Sequence, residues 1–277
     1  MKAATGLEGG LVARGSTCGV VSGGALGISL MRHESIGAGG ENAQRAIMQE
    51  ARAYVDWFHD NFSTQYCRER TGVDFYQASS WFKYLLPGER IARCFWHIGK
   101  AASYLQSSRA VPLSGCPGSA SGARGEALHC ATEVLRGVRE ATGVGHDLLE
   151  KTAFVLDGGV ALSGGVCGAM AGAVMAVNLV FGWDIRHMSY PRTIKEFVAG
   201  HANLLRRDYR GRPETFAIGR GVVQRFLEKG SALECRRITG KDFSGWDDFQ
   251  EHISSSESCR GLVADAVAAA TEALKKS

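Results

Sequence analysis

Proline is scarce, with 5 in 277 residues, and no stretch alternates polar and apolar residues with a period of two. The first leaves helices uninterrupted and the second removes the pattern of a half-buried strand, so the expected class is all-α. No run of Lys or Arg exceeds two and the formal net charge is only +4, which gives nucleic acid or an anionic membrane surface no electrostatic footprint. The opening residues, MKAATGLEGG, lack the apolar core and cleavage site of a secretory signal, so a cytoplasmic protein with reduced thiols is expected rather than a structural disulfide set. There is no C-x-x-C, no P-loop, no dinucleotide fingerprint and no Ser/His/Asp elbow, which leaves no nucleotide cofactor to expect.

Glycine, by contrast, is abundant at 36 residues, and cysteine reaches 8. The uncharged stretch Gly158 to Gly182, GGVALSGGVCGAMAGAVMAVNLVFG, carries Cys167 and places Gly164, Gly168, Gly172 and Ala176 at intervals of four. On a helix this spacing lines small residues along one face, where another backbone or a flat cofactor can approach closely. The stretch is long enough to span a bilayer, but its glycines, Ser163 and Asn178, and the Arg14 that interrupts its earlier copy, favour a buried helix over a membrane span.

That earlier copy, Gly6 to Leu30, puts Cys18 where the later one has Cys167. Cys67 opens CRERTGVDF and Cys235 opens CRRITGKDF; Phe58 and Phe226 precede these cysteines at the same distance, as do Ser63 and Ser231. Cys94 and Cys259 follow as a third pair. Three cysteines recurring in order with matching neighbours indicate a duplication. The expected organisation is a first helical unit over 1–106, a Ser/Gly/Pro-rich linker over 107–125 and a second unit over 126–277, each built on a Gly-rich, small-residue central helix. Helices are expected through Cys18, from about Asn42 to Phe62, through Cys94 to about Leu105, from Gly125 through Cys130 to Thr142, from His146 to Leu156, from Pro191 to near Arg210, from Pro213 towards Gly230, and around Ser258 to Lys275.

The second unit, with Cys130, then G-V-C-G-A-M-A-G at Gly165–Gly172, then Cys235 leading C-R-x-x-T-G-x-D-F, then Cys259, resembles the C-GCAxxG-C-C family of helical, redox-active proteins. The first unit resembles it less fully: Cys18, Cys67 and Cys94 match, Val20 stands in place of Ala, and the counterpart of Cys130 would precede residue 1. The split-Soret cytochromes c look related through the same helical unit, but they bind haem through C-x-x-C-H, which does not occur here, so haem is not implied. The resemblance implies electron or metal handling through thiolates, with an unidentified redox partner.

A thiolate is both nucleophile and soft ligand, and a cysteine at a helix start is the more readily ionised. Cys130, Cys167, Cys235 and Cys259 are therefore the leading candidates for an iron–sulfur or other metal site, or, through Cys167, Cys235 and Cys259, for a dithiol/disulfide centre. Cys18, Cys67 and Cys94 form a degenerate second set, with Cys116 in the linker as a stand-in fourth ligand. Gly164, Gly168 and Gly172 are the candidate cofactor-facing glycines. His97, three residues after Cys94, either completes a Cys/His site or joins Phe95 and Trp96 in an aromatic cluster; His129, beside Cys130, faces elsewhere on a helix. Asp74 and Asp242 read as turn or cap carboxylates. The competing reading is a non-enzymatic module whose small-residue helices support homodimerisation or partner binding around inert buried cysteines.

Overall fold

Two segments of the backbone are wound left-handed. Gly9, Gly10, Leu11, Val12 and Ala13 all have positive φ, and so do Gly158, Gly159, Val160, Ala161 and Leu162. Three consecutive side-chain-bearing residues in this region cost roughly 1–2 kcal/mol each. Cross-turn hydrogen bonds offset that cost, such as Val12 N to Gly6 O and Ala161 N to Val155 O, both 2.7 Å. So does the complete burial of Val12, Val160 and Ala161. Glycine is obligatory at 159, where a Cβ would stand 2.3 Å from the Gly165 nitrogen. Each turn ends in a short extended segment that delivers a cysteine to the start of a helix.

The computed structural model describes residues 1–110, 113, 127–205, 215–230 and 232–276. Thirteen α-helices lie among the described residues: α1 (Gly19–Met31), α2 (His33–Phe62), α3 (Cys67–Thr71), α4 (Ala78–Leu85), α5 (Glu89–Arg109), α6 (Cys130–Thr142), α7 (Asp147–Thr152), α8 (Gly168–Phe181), α9 (Tyr190–Leu204), α10 (Thr215–Gly230), α11 (Cys235–Thr239), α12 (Trp246–Ser255) and α13 (Glu257–Lys275). Short 3₁₀ turns occupy Lys2–Leu7, Ala153–Leu156 and Ile185–His187. No strand occurs among the described residues, and the all-α expectation holds. Gly40, with φ 54° and ψ −137°, breaks the α2 segment just before the helix start expected at about Asn42.

Several boundaries differ from the sequence reading. Cys18 and Cys167 cap α1 and α8 instead of lying inside them, and Cys130 opens α6. Helix α5 runs to Arg109, past the expected edge of the linker, and α12 was not foreseen. Cys116, Pro213 and Ser231, and so the readings that fall on them, lie outside the described residues.

One apolar core runs through both repeats. Its axis is α8, buried from Gly168 to Asn178, and the first 3₁₀ turn crosses it so closely that a Cβ on Gly6 would stand 2.4 Å from Val174 Cγ1. The segment Gly168–His187 is long and apolar enough to cross a membrane, and 67% of it is buried inside the protein. Equivalent joints of the repeats touch where Val166 N donates to Thr17 Oγ1 at 2.8 Å. Beside them Ser163 Oγ donates to Gln65 Oε1 at 2.8 Å and Gln65 Nε2 to Ser163 O at 3.2 Å. Farther out, Arg45 bridges Glu41 and Asp247 at 2.8 and 2.6 Å.

Candidate functional site

The same joint positions two cysteines in each repeat. In the second, Val166 pairs with Glu234 in an isolated antiparallel bridge, Cys167 N donates to Leu233 O at 2.7 Å and Cys235 N to Gly165 O at 2.6 Å. In the first, Thr17 pairs with Tyr66, Cys18 N donates to Gln65 O and Cys67 N to Ser16 O, both at 2.8 Å. The repeated T-G-x-D-F segment supports this joint: Thr71 and Thr239 hydroxyls back-bond to the Cys67 and Cys235 carbonyls, Asp74 accepts from Tyr76 N, and Asp242 pairs with Arg236. Asp74 holds a turn, as the sequence indicated, whereas Asp242 makes an exposed ion pair.

In the second repeat Cys130, Cys167, Cys235 and Cys259 line one pocket together with Gly158, Gly168, Ile238, Phe243, Phe249 and His252. Its free volume is about 20 Å³, room for a single water. Cys130, Cys167 and Cys235 are buried and Cys259 is half-buried, and none is in a disulfide. Burial pushes the Cys167 thiol up to about 11, against the free N–H groups of Met170 and Ala169, which lower it. Burial and then the neighbouring Asp157 charge raise Cys130, while Cys235 is raised by burial and then by Cys167 and Cys259. His252 Nε2 lies 3.7 Å from Cys259 Sγ, and burial and then Lys241 lower its pKa. Among the described residues that line the pocket there is no Lys or Arg. Among the described residues no group of three or more His, Cys, Asp or Glu side chains is arranged to hold a metal ion.

The first repeat brings Cys18, Cys67 and Cys94 into one another's field, with differences that matter. Arg70 occupies the position of Ile238 and lowers the Cys18 and Cys67 thiols against the burial that raises them. Burial and then Cys94 raise the Tyr84 phenol. His97 does not complete a Cys/His site: Arg70 hydrogen-bonds its Nδ1, and the ring packs 4.3 Å from Phe62 and 5.2 Å from Trp96. The aromatic-cluster reading is the one that the geometry supports.

The three candidate glycines separate. Gly164 leaves the helical face altogether, with φ 77° in the turn where a Cβ would meet Arg236. Gly168 borders the pocket, its notional Cβ 3.3 Å from Cys130 Cβ. Gly172 is closed by the α6 backbone, 2.8 Å from Ala131 O. The close approach that the spacing allowed is therefore made by α6.

Two acid–imidazole pairs, one buried and one with a half-exposed acid, had no signal in the sequence. His129 precedes α6 and its Nδ1 lies 2.8 Å from Asp157 Oδ2, with Asp157 fully buried and its pKa raised by burial. Glu8, at the matching place before the first left-handed turn, lies 3.2 Å from Nε2 of the fully buried His201 of α9. The acids correspond in the repeat; the histidines come from unrelated elements.

A family model described as "Putative redox-active protein (C_GCAxxG_C_C)" matches residues 1–107 and 128–273. No curated protein and no solved structure matches the chain.

Proposed function

The chain belongs to the C_GCAxxG_C_C family in two tandem copies, and from that membership we propose that its second repeat is a dithiol/disulfide centre formed by Cys167 and Cys259. The observation that carries this reading is four thiols on one small pocket whose described lining includes no Lys or Arg. A dithiol and a disulfide are both neutral and suit such a pocket with no further charge, whereas four thiolates on a dication leave net negative charge buried there. Sulfur donors suit an iron–sulfur cluster by type, but a cluster needs more room than one water occupies.

Cys259 is half-buried, so its sulfur meets an external disulfide, R′–S–S–R′. Its thiol proton passes to His252 and then to the departing R′S⁻, leaving a Cys259–S–S–R′ mixed disulfide. Cys167 then attacks the Cys259 sulfur, the Cys167–Cys259 bond forms, and the second R′S⁻ leaves with the Cys167 proton. Two protein thiols lose two electrons and one external disulfide gains them. Cys235 and Cys130 complete the pocket wall.

The test is anaerobic oxidation of the reduced full chain with oxidised glutathione, followed by peptide mapping and metal analysis. The expected product is a Cys167–Cys259 disulfide that disappears in Cys167→Ser and accumulates as a Cys259 mixed disulfide there. A stoichiometric metal or cluster lost on substitution of Cys130, Cys167, Cys235 or Cys259 would replace this reading with the metal-centre one.

A further inference from the structure

The repeats are not equivalent at the corner that Cys130 fills. In the second repeat α6 lies on the glycine face of α8, so Gly168 and Gly172 have Cys130, Ala131 and Val134 within 3.3 Å of where a Cβ would be. At the α1 positions that match Gly172 and Ala176, Gly23 has nothing within 4 Å and Gly27 has only Leu105, at 3.8 Å, among the described residues. Gly19 keeps the contact with the preceding turn, through Leu7 O at 3.1 Å in place of Leu156 O at 3.0 Å, while no described cysteine stands among its nearest neighbours as Cys130 does beside Gly168. Cys18 is half-buried where Cys167 is buried, and Cys94 is half-buried as well. The residue beside these thiols is Arg70, held by the Thr64 and Phe62 carbonyls and by the Phe58 face, where the second repeat has the apolar Ile238.

We infer that the first repeat is the substrate-facing thiol centre, in which the sulfur of an external anionic disulfide takes the corner that Cys130 closes in the second. This rests on the reading that the family's thiols exchange with disulfides, and it reverses the ranking by motif completeness, which placed the first set second. Among the described residues nothing fills that corner, which gives the incoming sulfur an approach to Cys18, and the Arg70 charge favours an anionic reagent and the thiolate that attacks it. Cys18 attacks one sulfur of R′–S–S–R′, the S–S bond breaks, and R′S⁻ leaves with the proton of Cys18. Cys94 then attacks the Cys18 sulfur, a Cys18–Cys94 disulfide forms, and the second R′S⁻ leaves with the proton of Cys94.

The test uses the reduced full chain, with Cys94→Ser to trap the mixed disulfide at Cys18 and Cys167→Ser to trap the one at Cys259. Oxidised glutathione serves as the anionic probe and cystamine as the cationic one, with acid quench and peptide mapping. Trapping at Cys18 is expected to be about tenfold faster than at Cys259 and severalfold faster with the anionic probe than with the cationic one. Arg70→Ile, which installs the side chain that the second repeat carries there, removes the anionic preference, and Arg70→Lys retains it; circular dichroism confirms that each variant is folded. Equal rates at Cys18 and Cys259, or an anionic preference that survives Arg70→Ile, would overturn the inference. Fast trapping at Cys18 without a Cys167–Cys259 disulfide would sink the proposed function of the second repeat and leave this one standing.

Discussion

At the scale of single residues, the chemistry is decided by what surrounds each sulfur. Cys167 sits at a helix start, which lowers a thiol pKa, yet burial outweighs the two N–H groups and holds it near 11 against a usual 9.0. A thiol whose folded pKa is raised contributes stability that is complete below about pH 9 and lost as pH rises towards 11. The loss amounts to about 3 kcal/mol for a shift of this size. Denaturant titrations at pH 8 and pH 11 should therefore show a smaller alkaline loss in Cys167→Ala than in the parent chain. His97 is the converse case, lowered to about 4 by burial first and then by Arg70 and Arg93. Its contribution is complete above about pH 6.5 and disappears as pH falls towards 4, so His97→Phe should flatten the fall in Tm between those values.

At the scale of elements, one sequence pattern has opposite consequences in its two copies. Gly172 accepts the α6 backbone, and Gly23 accepts nothing among the described residues. Gly172→Ala must push Ala131 away and should cost about 1–3 kcal/mol. Gly23→Ala meets no neighbour and should gain about 0.5–1 kcal/mol from restricting the unfolded chain. Thermal unfolding of the two variants checks both signs, and a destabilising Gly23→Ala would mean that this face is covered in solution. The left-handed turns are the other element-scale feature. Their strain is stored immediately before the cysteine joints, where it directs Gly15 and Gly164 against Arg68 and Arg236 and sets the register of the α3 and α11 starts.

At the scale of the whole molecule, the repeats share a core, so neither is expected to fold well alone. The 3₁₀ turn Lys2–Leu7 covers α8, His201 of the second repeat is buried against Phe75 and Trp81 of the first, and Thr17 caps the Val166 nitrogen. Residues 128–276 expressed by themselves should expose the α8 face and show broad, non-cooperative unfolding, whereas the full chain should unfold in one transition. A sharp transition in the fragment would show that the shared core is dispensable. Thr17→Val leaves the buried Val166 N–H without an acceptor and should cost about 1–3 kcal/mol.

The amino-acid sequence by itself determined the all-α class, the duplication, the family and the cysteines that belong together in each copy. These are carried by composition, by spacing over a few residues and by recurrence, all of which survive without a folded chain. It also marked the glycine-rich turns that lead into Cys18 and Cys167, a local signal, although both cysteines cap their helices instead of lying inside them. Only the tertiary structure decided that four thiols line one pocket while Cys18, Cys67 and Cys94 come near one another beside α1, where Gly23 meets nothing among the described residues, since coverage depends on which distant helix lies on a glycine face. The same holds for the Asp157–His129 and Glu8–His201 pairs and for Arg70 beside the thiols. Identical backbone positions admit different partners through space, and a side chain's charge acts on whatever the fold brings beside it, at any separation along the chain.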